Sequence, residues 1–155
     1  MLKNPRAVSR DYVFTEHNWH VFGAHERMVR HGDWLYIRNN RPGQQNLCVE
    51  SDDTFPAGKE LWAMHAAGKT SPLQGDVFLN PRPREELFHV GNDPHQLQNL
   101  AGETRHAETL AQLRAVLERW TADTGDTNPG NPTPHRSGKK SGEQPRGELP
   151  GQSAG

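Results

Sequence analysis

One cysteine, Cys48, stands in 155 residues. That scarcity excludes an intrachain disulfide framework and a zinc cluster built on paired cysteines. Apolar residues are also few, at 32% of the chain, below the share in an ordinary globular protein. No apolar run approaches the roughly 20 residues of a membrane-spanning helix. An excess of one charge is missing too: 18 Lys and Arg stand against 19 Asp and Glu, for a formal net charge of −1. A nucleic-acid binder shows a basic face or stripe, whereas here Arg82-Pro83-Arg84 is followed at once by Glu85-Glu86. The first residues, Met1-Leu2-Lys3-Asn4-Pro5-Arg6, lack the apolar core of a signal peptide. Together these absences predict no nucleic-acid partner, no membrane association and, for the chain as given, a cytoplasmic location.

The apolar deficit is uneven. Tyr12 to Trp120 carries normal apolar runs, while Pro, Gly, Asn, Ser and Lys dominate from Asp126 onward. Such a tail buries too little apolar surface to offset chain entropy and is expected to be disordered. Residues 1–10 read as a connector, 11–125 as one domain and 126–155 as the Pro/Gly/Ser-rich tail. The domain, of about 115 residues, is large enough for one modest core.

Within it, Asp11 to Trp19 is rich in β-branched and aromatic residues and predicts a strand. Val21 to Ala24 reads as a turn. Glu26–Arg30 and Trp34–Arg38 predict a hairpin across His31-Gly32-Asp33, with Gly32 free to take positive φ. Asn39 to Ser51 is loop-like, Glu60 to Ala67 favours a helix ended by Gly68, and Thr70 to Arg84 is irregular with three prolines. Glu86–Val90 predicts a fourth strand ending at the turn sequence Gly91-Asn92-Asp93-Pro94. Glu103 to Ala122 is the clearest helix. Leu110, Leu113, Leu117 and Trp120 recur on one face of it, Phe88 and Val90 are expected beneath that stripe, and Gly125 is placed to end it. The sum is an α+β fold: a small antiparallel sheet of about four strands packed against a long C-terminal amphipathic helix, with a shorter helix in an insert.

Few residues suggest chemistry. His17 and His20 sit three apart, but on a strand that spacing sends them to opposite faces, which argues against a shared metal. No zinc signature of the H-E-x-x-H type occurs. Glu16, His17 and His20, at a strand end, are instead candidates to line a pocket and hydrogen-bond a hydroxylated or anionic ligand. Arg27, Arg30 and Arg38 lie on the hairpin, and guanidinium groups match two oxygens of a sulfate or carboxylate if they converge. Cys48, within Asn46-Leu47-Cys48-Val49-Glu50, has no activating base beside it and reads as a structural thiol. Asp93-Pro94-His95 reads as turn chemistry, since no nucleophile motif accompanies it.

Glu86-Leu87-Phe88-His89-Val90-Gly91-Asn92-Asp93-Pro94-His95-Gln96-Leu97-Gln98-Asn99-Leu100-Ala101 resembles the E-L-Y-D-L-x-x-D-P-x-E-x-x-N-L-A segment near the C-terminus of sulfatases. The chain keeps Glu86, Leu87, Asp93, Pro94, Asn99, Leu100 and Ala101, and departs at Phe88, His89, Val90 and Gln96. Arg10 to His20 looks like the strand opening the sulfatase C-terminal subdomain, and Arg27–Arg30 with Trp34–Asn39 like the hairpin after it. The insert containing Phe55 to Leu61 is similar to the heparan N-sulfatase (sulfamidase) branch. The resemblance spans roughly Leu2 to Asp126 and makes residues 11–125 a sulfatase C-terminal subdomain of an alkaline-phosphatase-like parent.

The resemblance implies hydrolysis of sulfate esters or sulfamates on sugars. It also implies a formylglycine made from a cysteine in a Cys-x-Pro-Ser-Arg motif, and a calcium ion held by Asp and Asn. Cys48 lacks Pro and Arg at the required offsets, so formylglycine and calcium are expected in an N-terminal domain outside this chain. In the family the C-terminal subdomain supplies a pocket wall and substrate contacts. By that analogy His17 and His20 are the candidates for the pocket rim, joined by Glu16 and Arg27. Leu2 to Pro5 resembles an internal connector, so Met1 is expected to be an internal methionine, an alternative start or the product of a truncated frame, and the parent enzyme to be periplasmic or secreted. Three roles stay open: a sulfatase portion inactive alone, a split subunit completing a separate catalytic chain, or a non-catalytic glycan-binding or interaction module.

Overall fold

The computed structural model describes residues 10–19, 23–43 and 55–128. Its strands are β1 (Val13–Trp19), β2 (Gly23–His31), β3 (Trp34–Asn39) and β4 (Glu85–His89), and they form one sheet in the order β1-β2-β3-β4. Three helices accompany them: α1 (Pro56–Ala66), α2 (Pro72–Gly75) and α3 (Ala107–Asp123), the last entered through a 3-10 turn at Thr104–His106. The architecture is mixed α+β, as the sequence predicts. None of the described helices is long and apolar enough to cross a membrane. The described residues divide into two units: those up to Glu16, Glu26–Asn39 and Glu85–Thr127 form one, and the rest form the other.

The first unit is organised by strand alternation. β2 and β3 pair antiparallel with Val29 opposite Tyr36, and β3 and β4 pair antiparallel with Tyr36 opposite Leu87. Partners across a ladder project to the same side, so Val29, Tyr36 and Leu87 make one row. That row joins Leu100, Leu110, Leu113 and Leu117 in a single core. Residues 110, 113 and 117 recur at helical spacing, and each such leucine, once fully buried, contributes about 1.5–3 kcal/mol. Trp120 is half-buried one turn further on and stacks on Phe14, with ring centroids 5.1 Å apart and planes 6° from parallel.

Phe88 does not lie beneath the helix, contrary to expectation. It is buried opposite Leu35, one residue out of phase with the Leu87 row, and so belongs to the other face of the sheet. Val90 lies beyond the end of β4, where its N–H donates to the Asp33 carbonyl at 2.8 Å. The strand forms one residue earlier than the expected Glu86–Val90, and Phe88 takes the opposite face.

The hairpin turn holds Gly32 at φ +57°, with open space where a side chain would go. A substitution there is strained by the backbone, not by crowding.

In the second unit α1 starts at Pro56, earlier than the expected Glu60. Proline fits the first turn because the N–H it lacks would have no helical partner there. Gly68, as expected, follows the helix with a positive φ. The stretch from Thr70 to Arg84 is more regular than its prolines suggest. Ser71 and Gln74 make a reciprocal capping box: the Gln74 N–H donates to Ser71 Oγ at 3.3 Å, and the Ser71 N–H donates to Gln74 Oε1 at 2.9 Å. This starts α2, and a 3-10 turn at Asp76–Phe78 follows. Phe78 stacks on His65 at 3.8 Å and meets Trp62 edge-on at 4.8 Å. Arg82 is buried, and its Nη1 donates to both the carbonyl and the carboxylate of Asp76.

Candidate functional site

The segment after β4 is built around two side chains that bond to backbone. Asp93 Oδ2 accepts the Gln98 N–H at 2.8 Å, and the Asp93 N–H itself donates to the His89 carbonyl at 2.9 Å. Backbone N–H groups, that of Gln98 first, hold the Asp93 carboxyl below the usual carboxylate range. Asn99 then lies along the open edge of β4. Its Oδ1 accepts the N–H groups of Leu87 and Ala101, each at 3.0 Å, and its Nδ2 donates to the Glu85 carbonyl at 3.0 Å. The Leu100 N–H adds a bond to the Leu87 carbonyl at 2.8 Å, and the Leu100 side chain enters the core. Asp93, Asn99 and Leu100 therefore close the sheet edge and steer the chain toward α3.

Glu85 ties β4 to that helix. Arg114 donates Nε to its Oε1 and Nη2 to its Oε2, both at 2.8 Å, and the Tyr36 hydroxyl donates to Oε1 at 2.6 Å. The Arg114 hydrogen bonds, helped by the Tyr36 bond, hold the Glu85 carboxyl below its ordinary range against burial, which pushes it up. Burial and then Glu85 push the Tyr36 hydroxyl up, and Glu85 pushes the Arg114 guanidinium up. This is a fork-to-fork carboxylate pair with an added phenol, and its role is mechanical.

The sequence-derived candidates are placed as follows. Arg27 is 2% exposed, and it donates Nε and Nη2 to the two Asp126 oxygens, each at 2.7 Å. Glu16, 55% exposed, approaches the same guanidinium at 3.9 Å. The structure thus brings Glu16 and Arg27 together. His17 is half-buried in β1. His20 lies outside the described residues, as does Cys48. Arg38 is the cross-strand partner of Arg27, so the two share a face. Arg30 is one residue out of phase with them, exposed, and bonded to the Gly32 carbonyl at 2.9 Å. The three hairpin arginines do not converge.

One cavity went unread in the sequence. It has a volume of about 260 Å3 beside the β4 turn, lined by Trp34, His89, Asp93, Leu100, Arg105 and His106 among others. The Trp34 ring meets His89 edge-on at 4.8 Å and His106 at 5.1 Å. A Cβ on Gly91 would lie 2.9 Å from Asp33 Oδ2 and 3.3 Å from the His89 ring. The cavity walls come from three separated stretches, so no local motif announces it.

Among the described residues no group of three or more His, Cys, Asp or Glu side chains is arranged to hold a metal ion. The described residues thus offer no set that fits the calcium ion implied by the resemblance.

No protein-family model matches the chain. Against curated proteins it is 38% identical over 101 residues to an ulvan-active sulfatase of Formosa agariphila, which covers 64% of this chain and 17% of that protein. It is 30% identical over 106 residues to N-sulphoglucosamine sulphohydrolase of Homo sapiens, covering 64% of this chain and 20% of that protein. A solved 2-O GAG sulfatase matches at a TM-score of 0.45 and 20% identity, over 80% of this chain and 19% of that one. The chain spans about a fifth of the length of the curated relatives it matches. On the two curated matches the chain is similar, over about two thirds of its length, to part of two sulfatases.

Proposed function

We propose that this chain serves as the C-terminal subdomain of a sulfatase that removes sulfate ester or N-sulfate groups from sugars. In this reading it supplies a wall of the substrate pocket and contacts to the sugar, and does no hydrolysis alone. The observation that carries it is the 38% identity to an ulvan-active sulfatase over 101 residues. The second match, to an N-sulphoglucosamine sulphohydrolase, adds sugar N-sulfates to the candidate substrates. In this reading the nucleophile and the calcium ion that the resemblance implies belong to a part of the enzyme beyond this chain.

His17 and His20 are the proposed rim residues, offering imidazole nitrogens to hydroxyl or sulfate oxygens. Arg27 has its fork filled by Asp126, so its proposed part is to hold β2 and Glu16 in place. The test is sulfate release by the purified chain from 4-nitrophenyl sulfate and from N-sulfoglucosamine. Release at the buffer rate is expected, and enzymatic turnover would overturn the claim of inactivity alone. In the full-length enzyme, His17→Ala should raise KM more than it lowers kcat.

A further inference from the structure

We propose that the cavity beside Trp34 binds a single neutral saccharide ring. The volume of about 260 Å3 falls below the ~300–1,000 Å3 of sites that take drug-sized molecules, so the occupant is one ring. Trp34 and Leu100 give its lining an apolar part. The rest consists of groups that donate and accept at once. The Asn92 and Gln98 amides do both, and so do the His89 and His106 imidazoles when neutral. A hydrocarbon ring would leave those groups unpaired, at the cost of their lost hydration. A ring with hydroxyl groups around its edge and C–H groups on its face matches both parts.

Charge argues for a neutral ring. Asp93 and Arg105 contribute one carboxylate and one guanidinium to the lining. Arg105 is already engaged by Glu103, its Nε donating to Oε2 at 2.6 Å. Asp93 is held ionised by the backbone N–H groups of its turn. Both lining charges are thus already paired within the protein, Asp93 by its own turn and Arg105 by Glu103, so neither offers a counter-charge to an ionic ring. His89 is also one of the positions where this chain departs from the sulfatase closing pattern, which has Asp there. The cavity is thus not explained by the structural duty of the motif. The inference does not rest on the sulfatase reading, and its failure would leave that reading untouched.

The test is a titration of the 15N-labelled full chain with methyl β-D-glucopyranoside and with N-acetylglucosamine, followed by NMR. The Trp34 indole N–H and the Gln98 carboxamide should shift saturably with at least one sugar, at a Kd of about 1–10 mM as suits a single weakly held ring. Gln98→Ala and His106→Ala should each weaken binding about fivefold or more with the remaining spectrum intact, while Trp62→Phe should leave it unchanged. Three results would overturn the proposal: no saturable shift up to about 100 mM of either sugar, Kd values in Gln98→Ala and His106→Ala unchanged from the parent chain, or tighter binding of adenosine than of both sugars.

Discussion

Asn99 takes the place of a neighbouring strand for Leu87: its Oδ1 accepts the Leu87 N–H while its Nδ2 donates to the Glu85 carbonyl, both at 3.0 Å. An edge strand otherwise presents unpaired backbone groups. One carboxamide satisfies a donor and an acceptor of that edge, which no carboxylate or hydroxyl of similar size does in the same pose. Asn99→Ala should therefore destabilise the fold by about 1–3 kcal/mol, the cost of leaving backbone groups unpaired. Asn99→Asp should not rescue it, because a carboxylate would face the Glu85 carbonyl. Urea unfolding of the three proteins checks both statements.

Glu85 gives the stability a pH dependence of known sign. Its carboxyl is held below the ordinary value by Arg114 in the folded chain. The stabilisation is present above the unfolded-state pKa, about 4.3, and is lost as pH falls through the lower folded-state value. Both partners are a third or more exposed, so solvent screening limits the pair to about 1 kcal/mol. Glu85→Gln should lower stability by about that amount at pH 7 and converge on the parent at low pH. Urea midpoints measured from pH 7 to pH 2 would show the convergence; a constant gap would contradict it.

Arg27 and Asp126 lie 99 residues apart and meet through two bonds of 2.7 Å. Asp126→Ala removes both from a buried guanidinium, and breaking such a pair costs about 3 kcal/mol. Arg27→Met together with Asp126→Leu should recover much of that loss, since well-packed apolar replacements of buried pairs are often neutral. Thermal melts of the single and double variants distinguish this from a simple loss of α3 length.

The two faces of β4 can be separated by mutation and NMR. Leu87→Ala should cost about 2–5 kcal/mol through a cavity in the α3 core, and should perturb Leu113 and Leu117 methyl resonances. Phe88→Ala should also destabilise, but should leave those methyls near their original positions because Phe88 lies on the opposite face.

Periodicity made most of the fold legible. The leucine stripe at 110, 113 and 117 marked the buried face of α3, and His31-Gly32-Asp33 marked the hairpin. What local pattern did not carry was phase and distance. Glu85-Glu86-Leu87-Phe88 has adjacent apolar residues, so its composition suits either face, and only the register with Tyr36 assigns Leu87 to the helix. The Ser71–Gln74 capping box was hidden among prolines. Asp126 looks like the first residue of a polar tail, and only a partner 99 residues away gives it a structural part. Of the candidate site residues, Glu16 and Arg27 come together as neighbouring charges. The Trp34 cavity has no local sequence signature because its lining is drawn from β3, the β4 turn and the approach to α3.

If this chain is one part of a sulfatase, as proposed, its nucleophile lies elsewhere in the same enzyme. Sequencing the transcript on the 5′ side of the Met1 codon tests it most directly. An in-frame coding region that contains a Cys-x-Pro-Ser-Arg motif is expected there. An in-frame stop codon directly upstream of Met1, with the chain accumulating in cells as a free 17.4 kDa protein, would contradict it.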